Sequence, residues 1–446
     1  MRFLNNFDPA KVFLPLALLF GVAFALLVPP FQSPDEPNHF LRAYQVSEGI
    51  FFPEKQDHRL GATLPASLGQ VRDSFSFLKM NYEARTDKSL IFRSLSLPLD
   101  VERRTFLDFP NTAIYAPTAY LPQATAIALL RPFGATPLQM LYAARLANLL
   151  VWALLVLAAI RLMPFLKRIL VALALLPASL VVAASANADV ITNGLCWWLA
   201  AAALSSFEGK NFFLKQALAV AVVCANKLIA LPLALLNFGK KRFALLLVVG
   251  LAAAFAWGIF AQKNFIPYEA YNPLFRDAQT LNEGVDPARQ QAFIIENSLF
   301  FIEIALKSIV KTLPSMAAHF AGKFGWEKNY LPPFWLALLW LMLAGVLVSE
   351  ENSLSKKRRM LAAGVAALYV GMFAVTMYAL WCPVGAGEVT NFQGRYFVPV
   401  APAVALALAG GWLKKFENQI WLAALFILIM SNLAMIISIF ERYYAT

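Results

Sequence analysis

Residues Val12–Val28 read VFLPLALLFGVAFALLV, and the chain continues Pro29-Pro30-Phe31-Gln32-Ser33-Pro34-Asp35-Glu36-Pro37-Asn38-His39. As a helix the apolar run reaches roughly 25 Å, close to the thickness of a bilayer's hydrocarbon core. Arg2 and Lys11 precede it, which puts its start in the cytoplasm and Pro29-Pro30 outside. Phe31-Gln32-Ser33-Pro34 supplies no small-residue cleavage site, so the run is expected to stay as an anchor. This one stretch therefore delivers two adjacent carboxylates, Asp35 and Glu36, to the outer membrane surface.

The rest of the chain has the same character. Of 446 residues 60% are hydrophobic and only 14% charged, with 37 Phe and 10 Trp. That is too much apolar surface for one water-soluble core, and it excludes a soluble enzyme, a disordered chain or a disulfide scaffold. The net charge of +12 does not indicate nucleic acid, because the basic residues form short clusters between apolar runs and no basic stripe. Cys196, Cys224 and Cys382 are widely spaced in or beside apolar segments, and read as packing residues.

The basic clusters fix the topology. Arg161 with Lys167-Arg168, Lys210 with Lys215, Lys240-Lys241-Arg242, Lys356 to Arg359 and Lys414-Lys415 should all be cytoplasmic. The run from Ala113 to Leu130, broken by Pro117 and Pro122, then cannot be a full span and reads as a juxtamembrane or re-entrant helix. Ser298 to Leu313 carries Glu303, Lys307 and Lys311 and should lie along the outer interface. Phe212 to Phe238 is too short for two spans, so a pair of short helices meeting at Asn226-Lys227 is expected. The fold class is an all-α integral membrane protein of about eleven transmembrane helices, with the N-terminus inside and the C-terminus outside. Two transmembrane modules are expected: 1–262, which carries the outer loop 31–137, and 263–446, which carries the outer segment 263–330.

Chemistry-bearing residues gather on the outer side. Asp35 and Glu36 lie between Pro34 and Pro37 in a stiff, extended turn, and a helix from Asn38 would bring His39 and Arg42 to one side. A carboxylate kept ionised beside a cation suits a general base for a sugar hydroxyl. Asp189 is the only acidic residue between Asp108 and Glu208. It reads either as a functional acid at membrane depth or as the cap of the helix beginning at Val190. Arg145, Lys227 and Arg395 form a basic rim. Arg395 belongs to Gln393-Gly394-Arg395-Tyr396-Phe397 and suits a phosphate at headgroup depth, with interfacial anchoring as the alternative. No metal-ligand spacing, Walker motif or dinucleotide fingerprint occurs, so neither a metal nor a nucleotide cofactor is expected. A metal between His39 or His319 and a carboxylate stands as the alternative.

The landmarks Pro34 to His39, Gly61 to Leu68, Asn111 to Pro117, Ser185 to Asp189 and Gln393 to Phe397 occur in order. With them the chain resembles a bacterial family of predicted membrane proteins, over most of its length. The acidic first-loop motif, multi-span body, outer Asp and basic rim also resemble the GT-C superfamily of membrane glycosyltransferases. That second resemblance implies an inverting glycosyltransferase in the bacterial cytoplasmic membrane, with its active site facing out. Its donor would be a polyprenyl-phosphate-linked sugar and its acceptor a hydroxyl of a cell-surface glycan. It also implies Asp35 as the base and Glu36 as its partner, with Asp189 the later outer acid and His39, Arg42 and Gln393 substrate-binding. Arg395, Lys227, Tyr396 and Arg145 would hold the donor phosphate. A transporter or flippase of lipid-linked glycans, or a noncatalytic subunit of a glycan-assembly complex, are the competing readings. The membrane-midplane charges and internal repeat that a transporter would bring are not seen.

Overall fold

A computed structural model describes residues 8–206, 212–326 and 328–445. Arg2, Lys210 and Glu208 of the sequence reading lie outside the described residues. The molecule is mainly helical. Among the described residues five helices are long and apolar enough to cross a membrane: Pro9–Leu27 (α1), Pro137–Leu162, Phe243–Asn264, Lys356–Trp381 and Lys414–Tyr443. Four shorter apolar helices accompany them: Phe213–Asn226, Leu228–Asn237, Pro333–Ser349 and Gly394–Leu408. These long spans are fewer than the eleven expected, and proline breaks several of the other expected runs. The run after Lys167 stops at Ala174 and restarts at Pro177, and Pro232 and Pro399 sit in tight 3₁₀ turns. Each proline lacks the N–H that a continuous helix requires.

The bundle is built by close packing of α1 on Pro137–Leu162. Phe13 meets Trp152 edge to face at 5.9 Å, and a Cβ at Gly21 would strike Leu149 at 2.4 Å. Thr136 and Gln139 form a capping box at the start of the second helix. Bonds cross the 262/263 boundary: the Trp197 indole donates to the Val398 carbonyl at 2.7 Å, and the Thr86 N–H donates to the Tyr443 carbonyl at 2.8 Å. Cys196, Cys224 and Cys382 are buried free thiols.

Outside the bundle the first loop is ordered, and not only by helices. A small three-stranded antiparallel sheet runs Glu54–Gln56 (β1), Arg59–Pro65 (β2) and Arg104–Asp108 (β3) beside the helices that make up most of the molecule. Gly61 faces Asp108, and a Cβ there would lie 2.0 Å from the Leu107 carbonyl oxygen. The Tyr271 hydroxyl donates to Asp108 at 2.7 Å and accepts the Leu60 N–H at 3.1 Å, which docks the segment around Tyr271 on this sheet.

The Ala113–Leu130 region is a set of short helices, the longest Leu121–Leu130, in keeping with its reading as less than a full span. Ser298 begins a helix that runs on to Gly322, well beyond the Leu313 expected. Gly394 presses against this helix, where a Cβ would lie 2.1 Å from the Met316 carbonyl oxygen. Only glycine permits that approach, and it sets the position of Arg395. The break expected at Asn226-Lys227 is present: one helix ends at Asn226 and a 3₁₀ helix begins at Leu228.

Candidate functional site

Asp35 adopts φ +63°, the left-handed region, instead of the extended turn expected. The next helix, Glu36–Ser47 (α2), starts at once, with Pro37 in its first turn where no N–H is needed. A non-glycine residue held left-handed is uncommon and costs backbone energy, so its surroundings must enforce it. They do so through three groups. Arg395 Nη2 lies 3.1 Å from Asp35 Oδ2, Asn111 Nδ2 lies 3.5 Å from Oδ1, and Asn38 donates to Asn111 at 2.5 Å.

A second ion pair, Lys227 with Asp189, stands nearby. Tyr396 links the two pairs. Its hydroxyl accepts from Arg395 Nη2 at 3.0 Å, and its ring centroid lies 5.3 Å from the Lys227 ammonium. The capping alternative for Asp189 is resolved by Asn187, whose side chain accepts the Asp189 N–H at 2.8 Å and leaves the Asp189 carboxylate to Lys227.

Asp35, His39, Lys227 and Tyr396 line one cavity of about 360 Å³. Its lining also includes Asn111, Tyr115 and Asn226 and is otherwise mostly apolar, with Ile266, Leu281, Met377, Leu380 and Trp381 interspersed with Tyr268, Thr280, Asn282 and Thr376. Phe243–Asn264, next in the chain to that lining, is only 11% buried across its most apolar window, with Val248 and Phe255 exposed. His39 bonds the Tyr120 hydroxyl through Nδ1 at 2.8 Å and stacks on Tyr115. Burial pushes the His39 imidazole down to about 4, against an opposing pull from Asp35 and Asp189, so the ring is neutral at pH 7.

Other residues from the sequence reading lie elsewhere. Glu36 points into the bundle and forms a fully buried, two-pronged pair with Arg145, at 2.8 and 2.6 Å. Arg145 also donates to the carbonyls of Ala25, Val28 and Pro29, and Glu36 accepts the Ala186 N–H. Neither residue reaches the cavity, which corrects their assignment to catalysis and phosphate binding. They tie the end of α1 to α2 and so set where Asp35 stands. Arg42 is likewise buried, bonding Gln45 and the carbonyls of Phe51 and Tyr115, and it positions Tyr115 instead of meeting substrate. Gln393 bonds Asn391 and is not on the cavity wall. Arg395 also lies off that wall: its guanidinium sits behind Asp35 and Tyr396, with Nε buried and without a partner among the described residues.

Sequence reasoning missed Asn38, Asn111 and Tyr115 as site residues. Asn111 and Tyr115 fall in a landmark stretch, but neutral side chains carry no charge signal to single them out. Among the described residues no three His, Cys, Asp or Glu side chains form a group able to hold a metal.

No curated protein and no solved structure matches the chain. A family model does match, over residues 18–404, which include Asp35, Asp189, Lys227 and Arg395. The chain belongs to the predicted membrane protein family DUF2142.

Proposed function

We propose that this protein is an inverting, GT-C-type glycosyltransferase of the bacterial cytoplasmic membrane, with its site on the outer face and about eleven spans around it. Its donor is a sugar on a polyprenyl phosphate, and its acceptor is a hydroxyl of a cell-surface glycan. One observation carries the reading: a single cavity presents a carboxylate and an ion-paired lysine within a lining that is mostly apolar. A lipid phosphate needs both features, an ammonium for the phosphate and apolar surface for the prenyl chain.

In the reaction, Asp35 accepts the proton of the acceptor hydroxyl. The hydroxyl oxygen forms a bond to the anomeric carbon as the carbon–oxygen bond to phosphate breaks. Lys227 and the polar rim stabilise the charge left on the phosphate, an effect worth about 3 kcal/mol per well-placed donor. Arg395 keeps Asp35 and Tyr396 in place from behind. With Glu36 sealed in its pair with Arg145, Asp35 is the only carboxylate lining the cavity among the described residues. A single displacement, which inverts the anomeric centre, suits that arrangement.

The test uses purified protein in lipid nanodiscs with a polyprenyl-phosphate hexose and a glycan acceptor. The reading predicts release of polyprenyl phosphate and a product of inverted anomeric configuration. Movement of intact lipid-linked sugar across the bilayer without bond cleavage would instead establish a transporter.

A further inference from the structure

Arg395 stands between two cavities. Its Nη2 holds Asp35 and Tyr396, which line the large one. On its other side is a small cavity of about 30 Å³, lined also by Ser33, Ser185, Asn187, His319 and Lys323. A space of that size admits about two water-sized bodies. The rest of its lining is apolar, and among the described residues no carboxylate lines it.

The hydrogen-bonding capacity of this lining is lopsided. Its side-chain acceptors are engaged: Asn187 Oδ1 takes the Asp189 N–H at 2.8 Å, and His319 Nε2 meets the Tyr330 hydroxyl at 2.6 Å. Three donors are not. Asn187 Nδ2, Ser33 Oγ and Arg395 Nη1 make no hydrogen bond among the described residues, and unlike Arg395 Nε each keeps accessible surface. The Asn187 orientation follows from its own bond, because only its oxygen can accept from Asp189. Ser33 and Asn187 are 4% and 3% exposed, so bulk water scarcely reaches them. Buried polar groups are nearly always satisfied, and these donors face a cavity that a ligand can enter. Water would bring two O–H donors of its own to a lining whose side-chain acceptors are engaged; an anion brings none. The Lys323 ammonium, 3.5 Å from His319 Nε2, adds a second cation to the same lining.

We infer that this cavity binds one small inorganic anion of chloride's class. The ion takes Arg395 Nη1 as Asp35 takes Nη2, so the guanidinium is held from both sides. It also ties together the residues that flank the two acids. Ser33 lies two positions before Asp35, and Asn187 two positions before the Asp189 whose N–H it accepts. A phosphate, with four oxygens, is larger than two water-sized places. The site is structural and does not depend on what the large cavity binds.

The test is the melting temperature of the purified protein in nanodiscs of zwitterionic lipid, with no sugar or lipid-linked substrate present. Chloride is titrated against gluconate at constant ionic strength. Chloride and bromide should each give a saturable rise of at least about 2 °C. Asn187→Asp keeps the oxygen that caps Asp189 and replaces the free donor by an anionic oxygen, so it should abolish the rise. Ser33→Ala should raise the half-saturating chloride concentration at least about threefold, and it carries the test if Asn187→Asp does not fold. Lys227→Met, on the large cavity, should leave the chloride response within about twofold of wild type. No saturable response, or a wild-type response in Ser33→Ala and Asn187→Asp, overturns the inference. So does a response lost in Lys227→Met, which would place the ion in the large cavity. Equal stabilisation by phosphate, or by phosphatidylglycerol without chloride, would assign the site to a phosphate group and overturn it as well.

Discussion

Asp35 and Arg395, 360 positions apart in the chain, meet at 3.1 Å, with the aspartate held left-handed and the guanidinium behind it. The contact faces the cavity with its acidic side only. On the proposed glycosyltransferase reading Arg395 is therefore a positioning residue, and the phosphate falls to Lys227. Arg395→Ala should lower kcat by roughly tenfold, with a smaller change in donor KM, and Arg395→Lys should restore part of it. A donor KM raised tenfold at unchanged kcat would instead return Arg395 to the phosphate.

Lys227 should affect both constants. Lys227→Met should raise donor KM and reduce kcat by about 100-fold, the loss typical of one donor at a developing oxyanion. Steady-state kinetics over donor titrations checks it. Wild-type kcat/KM for this variant would leave the phosphate without a cation in the cavity.

The buried Glu36–Arg145 pair predicts a stability effect. Glu36→Gln leaves Arg145 sealed in the bundle with its charge uncompensated, a change that costs about 3–5 kcal/mol. The variant should show a lower melting temperature and lower abundance, while its turnover per folded molecule stays within about threefold of wild type. A stable Glu36→Gln protein without turnover would restore Glu36 to the chemistry.

His39 predicts a pH dependence. Its folded value of about 4 lies below the ordinary 6.5, so the unfolded chain binds more protons between those values. The contribution to stability is full above about pH 6.5 and is lost as pH falls towards 4, on the order of 3 kcal/mol in all. His39→Gln should flatten the melting temperature across that window. An unchanged acid limb would show that other groups set it.

Much of the site was legible from charge against an apolar background. Asp35, Asp189 and Lys227 are rare charges at the ends of apolar runs, and the structure brings them with His39 and Tyr396 to one place. Direction was not legible. Asp35 and Glu36 are adjacent, yet a single left-handed residue turns one towards the cavity and the other into the bundle, and no local pattern announces that turn. The sheet escaped because β2 and β3 pair across the 38 intervening residues 66–103 and neither alternates cleanly. The broken helices were legible only where charge accompanied proline, as at Asn226-Lys227.

Sidedness has its own test. Gln56, Glu388 and Ser355 are all exposed, so a single cysteine at each is chemically reachable. A membrane-impermeant maleimide applied from outside should label positions 56 and 388 and miss 355. Labelling at 355 would invert the orientation and place Asp35 in the cytoplasm.

The most direct measurement is turnover of Asp35→Asn, purified, with its fold verified by melting temperature and normalised to folded protein. Asparagine keeps the shape and can still face Arg395 but cannot take a proton. The account predicts a loss of at least about 1,000-fold in release of polyprenyl phosphate to the glycan acceptor, within the range that removing a general base produces together with its oriented contact. Turnover of Asp35→Asn equal to wild type would contradict it.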